Sequence, residues 1–372
     1  WLVLVGIAAA TPVTATSDES PGDRSGSPPT ASIQDRRGAD PIINGETADR
    51  DDFPMTGAML MDATLSMGSW GSSDMRMLVC SSTLIAPDVV LLAAHCLDEE
   101  SFTYGYGDLE DVEIRWTREA DLEEWDGSST PDWPDDSVLA WDWVFHEDFD
   151  LMSMEMGISE NHDIALLFLD EALEDLPLAV LPTAEEADQL QEDNEVMIVG
   201  WGQQEATSMW EEPPAGTYGI KQQGTSTIAN LGDHEFQVGA EESDVRKCHG
   251  DSGGPSFMVV DTDSSETMRL VGVTSHAYDS SDCEETGGVD TRVDAYLDWI
   301  DQEMRSRCED GTRAWCEEEG ILPPPEAMAE LDERSGPFQA CACSSAASST
   351  QWAPLALLGL VVFRRRKSTE TP

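Results

Sequence analysis

Three short segments carry side chains that could act together on an acyl group: LLAAHC around His95, NHDIALLFL around Asp163 and CHGDSGGP around Ser252. A serine hydroxyl is a weak nucleophile near neutral pH. It gains reactivity when an imidazole takes its proton, and the imidazole serves best when its other nitrogen faces an acceptor. The chemistry of such a trio is acyl transfer through a covalent serine ester. Chain order narrows the choice. These residues run His, Asp, Ser, whereas other folds that host the same trio run Asp, His, Ser or Ser, Asp, His. Gly253 and Gly254 let the backbone turn tightly beside Ser252.

The elements that must hold these residues are short. From Ile42 to about Ile300, apolar runs (MLVCSSTLI, VVLLAAHC, IALLFL, VMIVGWG, SFMVV, LVGVTS) alternate with Gly, Pro and acidic clusters. That pattern predicts an all-β protein of many short strands and long surface loops. Segment 98–137 reads as an acidic loop. One helix is expected over about 293–306, with Val293, Leu297 and Ile300 on one face and Tyr296 beside them. No internal repeat is present.

Six motifs stand in one order: IINGETA, AAHC, DIALL, the GWG of Gly200–Gly202, GDSGGP, and GGVDTRV before a Trp-containing helix. On these motifs the stretch 42–307 resembles the trypsin/chymotrypsin-like serine proteases. The resemblance implies two perpendicular six-stranded β-barrels with the active site in the cleft between them, and a C-terminal helix. It implies a secreted serine endopeptidase in which Ser252 attacks the scissile carbonyl, His95 acts as base and then acid, and Asp163 orients His95. The N–H groups of Gly250 and Ser252 would form the oxyanion hole, where such donors are worth about 3–4 kcal/mol each. Ser275 would support Asp163 and line the substrate strand. By the same resemblance Cys80 pairs with Cys96, and Cys248 pairs with Cys283 across the specificity pocket. Proximity alone suggests a further loop closed by Cys308 and Cys316. No cofactor and no metal are implied. The expected partner is a protein or peptide substrate, and the expected state a monomer. His146, His162 and His234 read as ordinary surface or loop residues, and His249 as the pocket rim.

Two positions depart from the family pattern. The residue six before the nucleophile forms the pocket base in the family, with Asp in trypsin-like members. Here it is Arg246, followed by Lys247. A guanidinium there favours a carboxylate, so cleavage after Glu or Asp is one expectation. The other is that Asp290, in the pocket with Gly288, neutralises Arg246 and leaves a short polar or small apolar slot. The second departure is activation. The resemblance implies cleavage before Ile42, whose new ammonium pairs with Asp251, yet the preceding residue is Pro41 and the nearest basic pair is Arg36-Arg37. That oddity motivates an alternative function, a catalytically silent protease-fold binding module at the cell surface.

Composition sets outer bounds. The 372 residues hold 75 Asp+Glu against 20 Lys+Arg, a formal charge of -55, and Lys occurs only at Lys221, Lys247 and Lys367. Such a surface repels phosphate backbones and argues against nucleic acid as a partner. A similar composition marks proteins of salty environments, although simple solubilisation would also produce it. Carboxylate density over 98–113 raises the idea of a Ca²⁺ site, against the plainer one of a solvated surface. Residues 1–16 look like part of a secretory signal peptide and 17–41 like a pro-segment, so the eight cysteines favour disulfides. Residues 308–340 read as a linker. The tail 341–367 resembles a MYXO-CTERM sorting signal: Cys341 and Cys343, an apolar run to Phe363, then Arg364–Lys367. The expected location is outside the cell or at its surface, with membrane contact only through this tail.

Overall fold

The computed structural model describes residues 42–309, save 104, 106, 126–131, 206–212, 263–265, 280–282 and 284–285. The stretches expected to be a signal peptide, a pro-segment and a sorting tail, together with Pro41, Cys316 and residues 310–340 of the expected linker, therefore lie outside the described residues.

A two-residue strand β1 (Glu46–Thr47) precedes the six strands of a first barrel. These are β2 (Thr56–Ser66), β3 (Ser72–Ala86), β4 (Val89–Leu92), β5 (Asp108–Thr117), β6 (Val138–Phe145) and β7 (Ala165–Leu169). They close in the order β2-β3-β4-β7-β6-β5, every neighbouring pair antiparallel. The second barrel comprises β8 (Glu195–Gly200), β9 (Gln222–Leu231), β10 (Glu235–Val238), β11 (Pro255–Asp261), β12 (Glu266–Ala277) and β13 (Gly288–Arg292). Its order is β9-β10-β13-β12-β11-β8, closed by β8 against β9, with β1 added to β9. The expected pair of six-stranded barrels is present. Closure matters because it leaves no long unpaired edge.

The apolar runs become strands for a simple reason. VVLL of β4 and ALLFL of β7 are buried along their whole length, so they read as continuous apolar runs rather than alternating ones. Phe168 and Leu91 are fully enclosed, and each such side chain contributes about 1.5–3 kcal/mol of transfer free energy. In the second barrel Ile198, Ile228, Phe236, Val238 and Val271 form the core, joined by Ile42.

Segment 98–137 is not all loop. Asp108–Thr117 is strand β5, with Ile114 and Trp116 buried. Val112, Ile114 and Trp116 alternate with charged residues, a period-2 pattern that the acidic content masks. The predicted helix divides in two. Val293–Tyr296 is a 3₁₀ turn and Leu297–Glu309 the α-helix, burying Val293, Tyr296, Ile300 and Met304.

Candidate active site

Each of the central residues sits where a strand ends or begins. β4 runs into a 3₁₀ turn, Ala94–Cys96, that presents His95. A disulfide from Cys96 to Cys80 in β3 fastens that turn. Asp163 lies two residues ahead of β7. The chain reaches it through His162, whose φ of 55° accompanies a turn closed by Ile164 N–H to the His162 carbonyl at 2.9 Å.

The Asp163 carboxylate is fully buried and receives three donors. The His95 backbone N–H reaches Oδ1 at 2.9 Å and His95 Nδ1 lies 2.7 Å from Oδ2. Ser275 Oγ donates to Oδ2 at 2.5 Å. The Asp163 carbonyl in turn accepts from Thr291 Oγ1 at 3.0 Å, so one residue of the first barrel is bound by two strands of the second. Ser275 reaches it by a bulge. The β12–β13 register passes from Thr274↔Asp290 to His276↔Val289, leaving Ser275 as the extra residue, and a bulge re-aims a side chain in this way. Burial works against the charged form of His95, but the charge and hydrogen bond of Asp163 raise its pKa above the ordinary imidazole value. Burial likewise opposes ionisation of Asp163, yet His95 and the hydroxyl of Ser275 hold it below the usual carboxylate range.

Ser252 lies on the turn before β11. Gly250 and Gly253 flank it at φ of 94° and 75°. A Cβ on Gly253 would meet the Ser81 carbonyl, and one on Gly250 the Tyr218 ring and Gly202. The Ser252 carbonyl accepts from Ser81 N–H at 2.9 Å, and Gly253 N–H donates to Thr274 O at 2.8 Å. Among the described residues the N–H groups of Gly250 and Ser252 have no acceptor. Ser252 and His95 line one cavity of about 310 Å³ with Ser275, His276, His249 and Gly288.

Asp251 is buried beside them. Its Oδ1 accepts from Gly202 N–H at 2.8 Å and its Oδ2 from Cys248 N–H at 2.9 Å. Any side chain on Gly200 or Gly202 would strike that carboxylate, which explains the two glycines of GWG. Burial pushes its pKa up to about 6. Cys248 and Cys283 are joined and both line the cavity.

The pocket base differs from the expectation. Arg246 is not among the residues lining the cavity. Its guanidinium donates to the carbonyls of Cys283 and Glu242 at 3.0 and 3.1 Å, and its backbone bridges Ile43. Lys247 points inward instead. Its ammonium, almost wholly buried, meets both Asp290 oxygens at 2.7–2.8 Å and Ser256 Oγ at 2.9 Å. Burial draws the Lys247 pKa below the usual lysine range, with the Asp290 charge pushing back. The physical reason is alternation: on an extended segment adjacent side chains point to opposite sides, so only one of Arg246 and Lys247 faces the cavity.

The Trypsin family model matches residues 42–300. The chain belongs to the trypsin family. Its curated relatives include serine protease Hayan of Drosophila melanogaster, 27% identical over 70% of this chain and 38% of that protein. A trypsin of Phaedon cochleariae is 28% identical over 60% of this chain and 78% of its own length. Chymotrypsin-like elastase family member 1 of Macaca fascicularis is 28% identical over 71% and 90%. The chain spans between 38% and 58% of the length of the first three insect relatives.

Sequence reasoning missed several residues of this trypsin-family site. Lys247 was visible only as a neighbour of Arg246. Thr291 carried no signal beyond its place in GGVDTRV. Leu151, Met154 and Met156 line the cavity from a loop rich in acids and methionines. Glu235 was not singled out at all, although it is buried and its Oε2 and Oε1 receive Ser159 N–H and Asn161 Nδ2 at 2.8 and 3.0 Å. None of the three clusters of convergent metal-ligating atoms among the described residues includes a carboxylate of the acidic segment 98–113.

Proposed function

We propose that this chain is a secreted serine endopeptidase working through an acyl-enzyme. Ser252 attacks the scissile carbonyl while His95 takes its proton. The same imidazole, now charged beside Asp163, then donates to the leaving amine. Water repeats the sequence on the ester. Gly250 and Ser252 N–H groups stabilise the oxyanion, a role their lack of other acceptors supports. The observation that carries the proposal is the double grip of Asp163 on His95, through its backbone and its ring. That grip fixes the tautomer a general base needs. An organophosphorus serine probe on the processed protein tests it. Labelling of Ser252, and loss of kcat by about six orders of magnitude in Ser252→Ala, is the expected result. An unlabelled, correctly processed protein would instead support a silent binding module, which no present observation favours.

The substrate side chain before the scissile bond is expected to be small to medium and uncharged. Arg246 is committed to carbonyls, and Asp290 neutralises the one cation at the cavity, Lys247. Met154, Met156 and Ala277 add apolar lining. Matched peptides with Leu, Glu or Lys before the bond decide the matter. Fastest cleavage after Glu would restore the acidic preference expected from Arg246, and fastest cleavage after Lys would exclude both readings.

Activation at Pro41–Ile42 completes the proposal. Ile42 is buried in the second-barrel core, and Asp251 has two backbone donors but a raised pKa, the environment a new ammonium would relieve. Amino-terminal sequencing of active protein should begin at Ile42. The insect relatives carry names such as Spaetzle-processing enzyme, and their kinship supports an extracellular site of action.

A further inference from the structure

We propose that His146, Asp148 and His162 form a binding site for a transition-metal dication such as Zn²⁺, on the loop that leads into Asp163. One donor atom from each of the three lies within 4.8 Å of the others. The site joins the two ends of one connection, that between β6 and β7. His146 follows β6 directly and Asp148 stands two residues on, while His162 comes from the far end of the same long loop, beside β7. The rings of His146 and His162 stack at 4.8 Å between centroids and 11° between planes.

The neutral imidazole is the ligating form, and binding of the ion would release any proton the rings carry. The surroundings supply orientation. Glu160 Oε1 lies 3.2 Å from His234 Nε2 and 3.9 Å from His162 Nε2, and Tyr296 Oη lies 3.2 Å from His162 Nδ1. A carboxylate beside a ligating histidine is the partner that raises its basicity. All three proposed ligands are reachable from solvent, Asp148 being exposed.

The donor set fixes the class of ion. Two nitrogens and one carboxylate suit Zn²⁺ and its neighbours, whereas Ca²⁺ and Mg²⁺ seek oxygen alone. The other two donor clusters, Cys80–His95–Cys96 and Cys248–His249–Cys283, do not compete, because their sulfurs are locked in disulfides. Since His162 adjoins Asp163, occupancy would also bear on peptidase rate. That consequence rests on the function proposed above; the binding does not.

The test uses the full chain carrying Ser252→Ala, titrated with Zn²⁺ by calorimetry in a large excess of Ca²⁺ that saturates the acidic surface. One equivalent of Zn²⁺ should bind, and Co²⁺ in its place should give a visible ligand-field band of low coordination number. His146→Ala and His162→Gln should each weaken binding by about tenfold or more. Asp148→Asn, an exposed change that spares the fold, should weaken it too, and decides the matter if both histidine variants unfold. Absence of stoichiometric binding above the Ca²⁺ background overturns the site. So does an isotherm unchanged in folded His146→Ala or in Asp148→Asn.

Discussion

At the scale of single residues, the behaviour of His95 follows from what surrounds it. Its Nδ1 lies 2.7 Å from the buried Asp163 carboxylate, and the residue lines the cavity that Ser252 shares. Burial is the largest single influence and opposes the charged ring, but the charge and hydrogen bond of Asp163, with the Asp98 charge, together outweigh it and raise the imidazole pKa. General-base action needs the neutral ring, so the raised value moves the active form to higher pH. We therefore expect kcat/KM to climb with pH through a midpoint above about 6.5, the ordinary imidazole value. In Asp163→Asn the charge is gone and burial remains, so the limb should move below that value while kcat falls about 10⁴-fold. A pH–rate profile on a neutral ester substrate checks both, and an unmoved limb would deny Asp163 its electrostatic part. The trio itself was legible in three short motifs. Lys247 was not, because Arg246 and Lys247 carry the same charge and only the direction of each side chain separates them. Their difference is energetic as well: in the buried Lys247–Asp290 pair both carboxylate oxygens accept from the ammonium, which also reaches Ser256 Oγ, and such close pairing is what lets an interior ion pair be tolerated.

At the scale of elements, the site depends on how loops are tied to barrels. The long connection from β6 to β7 carries Asp163 and is held to the second barrel by Glu235. This carboxylate in β10 takes Ser159 N–H and Asn161 Nδ2, while Asn161 also spans Glu155 through its N–H and carbonyl. Glu235→Ala would take the acceptor from the half-buried Ser159 N–H and from the buried Asn161 amide, a loss of about 1–3 kcal/mol. We expect that loss in urea unfolding, together with slower labelling of Ser252, and partial recovery in Glu235→Gln, which keeps an acceptor. A variant that loses stability at an unchanged labelling rate would show that the loop does not transmit to Asp163. The strands themselves were readable: IALLFL became Ala165–Leu169, and VMIVG lies within Glu195–Gly200. What escaped was geometry without a pattern. The bulge at Ser275 adds one residue to a ladder whose hydrophobic sequence does not record it. Glu235 resembles the other acids of the chain until its burial is known.

At the scale of the whole molecule, the deciding quantity is charge. A formal -55 means strong self-repulsion, and the fold uses its few cations carefully against it. Arg76 meets Asp62, Arg269 meets Glu186, Arg292 meets Asp294, and Arg307 joins Asp142 to Glu303. Lys221 is buried against the carbonyls of Asp52 and Phe53 and over the Trp201 ring, so it holds the β1–β2 connection rather than neutralising a surface acid. Among the described residues many further carboxylates are left to solvent and counterions. Screening then becomes a stabilising term, because the Debye length shrinks from about 10 Å at 0.1 M to about 3 Å at 1 M salt. For the Ser252→Ala chain, Tm should rise steadily from low to molar NaCl. An uncharged osmolyte at equal osmolality should give less, since it acts on burial alone. The same salt should lower the affinity for any basic substrate or partner drawn by the long-range field. It should leave the His95–Asp163 pair, whose carboxylate is fully buried, unmoved in its pH profile. A Tm that falls with NaCl would mean that surface ion pairs outweigh self-repulsion, against the large excess of acids.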